Sequence, residues 1–309
     1  MNLKLDCNRE NPSLGKIGMM YYDQRNNRIK FFSEALHYTK ENIDSLVKQG
    51  ISMMHTNRAT RFTARFLASN SMDYNNDGIE AVIPLEGIFK DFSLIYLGIN
   101  TPNRQDNDRT LAKESQMVND LYLRQPDGRY PSLEDYQAER LVVADDRNVN
   151  SLFELYKEAY ATYTVELNHK NIADMINSSS PFYIARHSET QEIVSAAIAE
   201  ISGIKTNLGS FRICELSEMA TRREHRGRGL VTFITRILVN EIYKNLNLIY
   251  AEARSCHLPI NRVFYNMDFH FGGRLNKQCI LSGDHEINES GPYENLNVWY
   301  YCPNSKREK

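Results

Sequence analysis

The sequence predicts a mixed α/β protein in two parts, and three observations predict it. A chain of 309 residues is long enough for about two average domains, which run to roughly 100–200 residues each. A long polar stretch divides it: Thr101 to Gln137 is rich in Asn, Asp, Arg, Gln and Lys and holds the turn signal Gln125-Pro126-Asp127-Gly128. Beyond that stretch, strand-like runs alternate with amphipathic helical runs. The division expected is a smaller first part over 1–105, a polar linker over 106–137 with the boundary near residue 130, and a larger part over 138–309.

In the first part, strand-like runs lie at Arg28–Phe32, Ile79–Ile83 and Ser93–Ile99, with a helix over Glu41–Gln49 behind Thr39 as its cap. The polar segment has room for a short amphipathic helix at Leu111–Leu121 and otherwise reads as connector. In the second part, Val149, Leu152, Phe153, Tyr156, Ala159, Tyr160 and Tyr163 recur at helical spacing. Phe182–Arg186 and Glu192–Ile201 form a hairpin around His187–Gln191, and Arg212–Thr221 is a further strand. Leu230, Val231, Phe233, Ile234, Ile237, Leu238 and Ile242 mark a strong helix. Strand Leu248–Arg254, a short helix at Pro259–Met267 and strand Leu296–Tyr301 complete the order.

Composition excludes several classes. Lys+Arg is 37 against Asp+Glu 39, so no global positive field exists to hold a nucleic-acid backbone, although a local patch could still do so. No apolar run approaches the ~20 residues of a membrane helix, and Met1–Cys7 lacks a signal-peptide core. The five cysteines (7, 214, 256, 279 and 302) are scattered and never spaced Cys-x-x-Cys, which disfavours a disulfide framework or a zinc site. A reduced, cytoplasmic protein without a metal is expected. The sequence does not fix the oligomeric state.

Chemistry concentrates in Glu215-Leu-Ser-Glu218-Met-Ala-Thr-Arg222-Arg223-Glu-His225-Arg226-Gly227-Arg228-Gly229-Leu230-Val231. A strand ends, two glycines stand one residue apart, and an amphipathic helix begins. Amides at a helix start lack intrahelical partners and sit at the positive end of the dipole, and glycines admit an anion close to the backbone. Such a turn also serves as a plain tight connection, and basic clusters also serve as solvated faces. It is not a dinucleotide fingerprint, because no third glycine follows, and no phosphate-loop Gly-Lys-Ser/Thr appears.

The run Arg226-Gly-Arg-Gly-Leu-Val231 resembles the acetyl-CoA signature Arg/Gln-x-x-Gly-x-Gly/Ala of the GNAT N-acetyltransferases, and the element order from 139 to 301 resembles their fold. Within that family the chain is most similar to the β-lysine N-acetyltransferases. The similarity lies in Cys214–Leu230, Ala253-Arg254, Asn261, Phe264, Phe271–Leu275, Leu281–Gly283 and Asn295–Tyr300. Asn27–Ile29 and Ile79–Pro84 resemble strands of that family's degenerate N-terminal half. The resemblance implies acetyl-CoA as co-substrate and a small-molecule amine, β-lysine or another diamino acid, as acceptor. It also implies that backbone groups of Met219 and Thr221 pair with the pantetheine arm, and that amides from Arg226 through Gly227, Arg228, Gly229 and Val231 to Thr232 cradle the pyrophosphate. Two positions depart from the pattern. Val231 stands where Gly or Ala is usual, and Phe264 stands where the family often places a tyrosine general acid. Tyr265 is one residue on, about 100° around a helix.

Acetyl transfer to an amine needs a deprotonated nucleophile, donors for the developing oxyanion and a proton for the thiolate. Glu218 is the first candidate for base or amine-binding carboxylate, Glu215 the second, and Tyr265 the candidate acid. Three apart on a regular strand, the two glutamates face opposite sides, and a bulge would break that rule. Glu252 and Arg254 on the next strand are candidates for the acceptor's ammonium and carboxylate groups. Adjacent Cys256 and His257 do not point together, so no Cys/His nucleophile is read there, and Trp299-Tyr300-Tyr301 reads as core. Two alternatives stay open: a protein-lysine acetyltransferase using the loop Ser282–Glu294 and the N-terminal half, or an acyl-CoA-binding regulatory module without turnover.

Overall fold

The computed structural model describes residues 2–5, 18–33, 38–71, 78–85, 89–126, 134–160, 167–206, 209–281 and 291–303. The strands are β1 (Asn2–Leu5), β2 (Gly18–Asp23), β3 (Arg28–Ser33), β4 (Arg61–Ser69), β5 (Ile79–Pro84), β6 (Phe92–Asn100), β7 (Tyr136–Arg140), β8 (Phe182–His187), β9 (Ile193–Thr206), β10 (Gly209–Thr221), β11 (Leu248–Arg254), β12 (His270–Ile280) and β13 (Tyr293–Tyr301). The helices are α1 (Lys40–Asn57), α2 (Asp108–Tyr122), α3 (Asp146–Ala159), α4 (His169–Ile176), α5 (Leu230–Ile242) and α6 (Leu258–Tyr265). The fold is mixed α/β, as expected: among the described residues, one 13-stranded sheet flanked by helices, in the order β1-β2-β3-β4-β6-β5-β12-β13-β11-β10-β9-β8-β7. None of these helices is long and apolar enough to cross a membrane, among the described residues.

Two neighbouring pairs are parallel, β3–β4 and β10–β11, and a helix bridges each of them, α1 and α5 respectively. Parallel neighbours need such a crossover connection, so the two halves repeat one strand–helix–strand unit. Thr39 caps α1 as expected, its hydroxyl accepting from the Asn42 amide while Asn42 answers back to the Thr39 amide. The helix runs past Gln49 to Asn57 because Met53 and Met54 continue its buried stripe. Helix α3 ends at Ala159. Tyr163, the sequence boundary near residue 130 and loop residues 282–290 lie outside the described residues.

Strand alternation sorts the core. Cys214 and Leu216 of β10, with Ile249, Ala251 and Trp299, face α5 through Leu230, Ile234 and Leu238. Ile213, Leu248, Tyr250 and Val298 face the other way and pack under Leu67, Ile83, Leu94 and Tyr96 of the N-terminal half. Further along that second face, α3 and α4 cover Phe182, Ile184, Ala196 and Ile198.

The segment 106–137, expected to be a linker, is built into the fold. It carries α2, whose Glu114, Val118 and Leu121 are buried, and the first residues of β7. Most of its polar side chains are solvent-exposed, but a few charged groups within it and just before it are buried among polar partners. Arg104 is 2% exposed, donates to the carbonyls of Asn26 and Lys277, and lies 3.5 Å from the Tyr293 ring centroid. Asp106 pairs with buried Lys277 at 3.4 Å. Arg61, fully buried, is held by Glu80, Asn100 and Gln278. Burial of charge without partners is costly, and here the partners come from both halves.

The halves meet where β5 pairs with β12 at Ala81↔Gly273. Gly273 has φ 137°, and a Cβ there would stand 2.3 Å from the Glu80 carbonyl oxygen and 2.6 Å from the Ala81 Cα. Gly273→Ala therefore combines backbone strain with a clash against backbone that has no room to move. The expected loss is about 2–4 kcal/mol of stability, measured by chemical denaturation; an unchanged midpoint would show that the junction tolerates a side chain.

Candidate functional site

Strand β10 ends at Thr221, a short turn covers Arg223–His225, and α5 starts at Leu230. Gly227 and Gly229 both adopt left-handed backbone, with φ 76° and 73°. A Cβ on Gly227 would meet nothing within 4 Å, so there the glycine answers to backbone conformation rather than crowding. Gly229 is the N-cap of α5 and offers no side chain to its first-turn amides. The equivalent end of α1 is closed by its own capping box, so the two repeated units differ at the spot where an anion would be held.

The basic residues divide into two roles. Arg222 turns inward to the Ile193 carbonyl and to Glu158. Arg223, Arg226 and Arg228 are exposed around the glycines, and Arg226 Nε donates to the Thr221 carbonyl at 3.0 Å. His225 shares a 2.9 Å hydrogen bond with the Tyr136 hydroxyl, and burial, with His187 and Arg228 nearby, holds its imidazole below the usual range. Positive charge at the turn therefore comes from arginine. Val231 and Thr232 are partly buried in the first turn of α5.

The second element of the site is the end of the β10–β11 ladder. Pairing runs Ile213↔Leu248, Cys214↔Ile249, Glu215↔Tyr250 and stops. Just beyond, β10 shifts register against β9 between Ser217 and Ala220, and Glu218 takes left-handed backbone at φ 51°. This is the bulge on which the placement of the two glutamates depends. Ile198 and Ser217 are register partners, as are Glu200 and Glu215, so Glu215 lies on the face that α3 and the N-terminal half cover. Glu218 stands beside Tyr156 on α3 and Tyr160 at its C-cap, whose phenols are pushed up by burial and then by this carboxylate. The bulge thus brings Glu215 and Glu218 to one side of the sheet. Tyr156 and Tyr160 donate to the carbonyls of Glu218 and Met219, at 3.3 and 2.9 Å, and so pin the bulge.

Glu215 is an acid held near neutrality. Burial and the neighbouring Glu252 carboxylate push it up to about 7, while a 2.7 Å hydrogen bond from Tyr250 and the charge of Arg65 pull the other way. Buried carboxylates near one another resist joint ionisation. A group titrating near the working pH is what general-base chemistry requires.

Other expected residues land differently. Arg254 shares the face of Tyr250 and Glu252, and Glu294 grips its fork with two 2.7 Å bonds, so this guanidinium has an internal partner. Tyr265 donates to the Arg124 carbonyl at 2.5 Å and meets Tyr122 edge-on. It packs with α5 on the opposite face from Glu215, and buried Phe264 packs against Phe269 with the rings tilted. Asn261 holds Trp299 and Asn297 through its carbonyl oxygen and donates to the Arg254 and His257 carbonyls, a structural latch. Cys256 contacts Glu294, and burial pushes its thiol up to about 12, far from a thiolate nucleophile. The described cysteines are free thiols. Sequence reasoning missed Tyr156, Tyr160, Tyr250 and Arg65. The first two lie in the apolar helix pattern, and Arg65 lies on a strand the sequence reading did not identify.

No family model matches the chain. A curated relative, the N-acetyltransferase YodP of Bacillus subtilis, is 25% identical over 199 residues, covering 64% of this chain and 65% of that protein. Solved structures with partial likeness include Arabidopsis thaliana NAA60 in complex with a bisubstrate analogue, at TM-score 0.44 and 13% identity over 54% of this chain and 97% of that one. Another is the putative acetyltransferase yncA of Salmonella typhimurium with acetyl-CoA, at TM-score 0.43 and 14% identity over 57% and 98% of the two chains. A third is a mutant of the spermidine N-acetyltransferase SpeG of Vibrio cholerae, at TM-score 0.43 and 13% identity over 57% and 99%.

If the glycine turn is an anion cradle, Gly229→Val should abolish acetyl-CoA binding, and Val231→Ala should preserve or tighten it. Isothermal calorimetry ranks the two; equal affinities in both variants would make the turn a plain connection.

Proposed function

We propose that this chain is an acetyl-CoA-dependent N-acetyltransferase of the GNAT type acting on a small amine. The observation that carries the reading is one conjunction: a strand that parts from its parallel neighbour and bulges, followed at once by an uncapped, glycine-led helix start. The likeness to YodP over 199 residues supports it. The co-substrate brings an acetyl group activated as a thioester.

The chain's own groups then divide the work. Amides from Arg226 to Thr232 hold the pyrophosphate, helped by the exposed Arg226 and Arg228. Backbone of Met219 and Thr221 lines the arm, although their carbonyls already accept from Tyr160 and Arg226, which leaves the amide edge as the groups to offer. Glu215 takes a proton from the entering ammonium. Glu218 and Glu252 hold that ammonium on the same face. Tyr265, bonded to Arg124, does not serve as the acid, and the thiolate takes its proton from the acceptor or from solvent.

For the acceptor we favour β-lysine or a similar diamino acid, since Glu215, Glu218 and Glu252 gather carboxylates for two ammonium groups. The N-terminal half packs over this face, which favours a small acceptor over a folded protein. Release of CoA thiol with β-lysine, lysine, spermidine and lysine peptides ranks the classes. Turnover with none of them would favour a regulatory acyl-CoA-binding module.

With Glu215 as base, kcat/KM should rise with pH through about 7, because the carboxylate must be ionised to accept a proton. Glu215→Gln should remove that step and lower turnover roughly 10²–10⁴-fold, with the deficit shrinking toward pH 10. Glu218→Gln should chiefly raise KM for the amine. A larger kcat loss in Glu218→Gln, with Glu215→Gln near wild type, would exchange the two roles.

A further inference from the structure

The N-terminal half sends one cation across to the catalytic strand pair. Arg65 on β4 donates from Nη1 to the Tyr250 hydroxyl at 2.5 Å, and that hydroxyl donates to Glu215 Oε2 at 2.7 Å. The guanidinium also lies 5.2 Å from the Tyr250 ring centroid and 5.9 Å from that of Tyr96. Direction in this series is fixed by chemistry. A guanidinium only donates, so the Tyr250 oxygen accepts from it, and the single phenolic proton is committed to the carboxylate. A phenol polarised by a cation is a stronger donor than one alone. Burial keeps Tyr250 protonated far above neutral pH.

Glu215 faces charge from every side. Tyr250 and Glu252 face it from β11, Arg65 from β4 and Tyr96 from β6. Glu200 on β9 is close enough to push its pKa up, and Lys30 on β3 lies within electrostatic reach of both Glu215 and Glu252. Two further carboxylates thus oppose its ionisation, and the cations that favour it come from the N-terminal half.

We propose that Arg65 and Tyr250 are positioning residues through which the N-terminal half sets the charge state of Glu215. The coupling stands on the geometry alone; its consequence for catalysis rests on the acetyltransferase reading above. The half that carries no glycine cradle is then a working part of the site, since it supplies the charge that lets the base ionise near neutral pH.

Carboxyl carbon-13 titration of the full-length, glutamate-labelled chain tests the relay without requiring turnover, with the Glu215 signal assigned from Glu215→Gln. The wild-type midpoint should fall at about 7. Tyr250→Phe removes one oxygen and the hydrogen bond to the ionised form, and Arg65→Gln removes the cation. Each should raise the midpoint by about 1 unit or more, and Arg65→Lys should restore part of the shift. If Arg65→Gln does not fold, Tyr250→Phe carries the test. An unmoved midpoint in Tyr250→Phe overturns the relay. The acid limb of kcat/KM should shift by the same amount as the midpoint. A moved midpoint with an unmoved rate profile keeps the relay and removes Glu215 as base. A moved midpoint in a chain that acetylates no amine keeps the relay and rejects the enzyme reading.

Discussion

Strands β10 and β11 share a ladder only as far as Glu215↔Tyr250, and the site follows from that limit. Backbone polar groups that leave a ladder inside a protein must find other partners. β10 keeps its pairing with β9 on one side, and its bulged residues hand their carbonyls to Tyr156 and Tyr160. β11 stays paired with β13 as far as Arg254↔Leu296. The two strands are thus each secured to an outer neighbour while they part from each other. The parting places Glu215, Glu218 and Glu252 at one end of the sheet and lets the glycine turn open directly beyond.

Much of this was legible from residues alone. The strand, glycine turn and helix from Arg212 to Ile242 sit where the apolar spacing puts them, because both elements are long and strongly periodic. The bulge was legible only as a possibility: two glutamates three apart can share a face only through an irregularity. What escaped was long-range. Arg61 and Arg65 lie on a central strand whose alternation is masked by buried charge, so β4 reads as polar chain. Arg104, Asp106 and Glu114 read as solvated linker for the same reason. Sequence pattern assumes that charge means water, and at this junction charge means a partner from the other half. The internal pairing of Arg254 with Glu294 was invisible for the same reason, since those residues are distant in sequence.

The repeated strand–helix–strand unit sharpens the contrast between the halves. Both units cross over through a helix from one parallel strand to the next. In the N-terminal copy, Thr39 and Asn42 satisfy the helix start; in the C-terminal copy, Gly229 leaves it to whatever arrives. A side-chain cap and an anion site compete for the same amides; the first helix start is closed by its own side chains, and the second is left without a side-chain cap. The first copy contributes instead through the outward face of its sheet, where Arg65 reaches Tyr250.

The join at Gly273 has a consequence for how the protein can be taken apart. Because β5 and β12 are neighbours in one sheet, cutting the chain between the halves would not release two finished domains. It would strip each of a paired neighbour and leave β5 and β12 as raw edges, beside orphaned arginines and carboxylates. Exposed edges of that kind recruit other chains. The C-terminal half expressed alone is then a candidate for aggregation rather than a self-sufficient fold, and the two halves are better regarded as one cooperative unit than as a domain with an appendage.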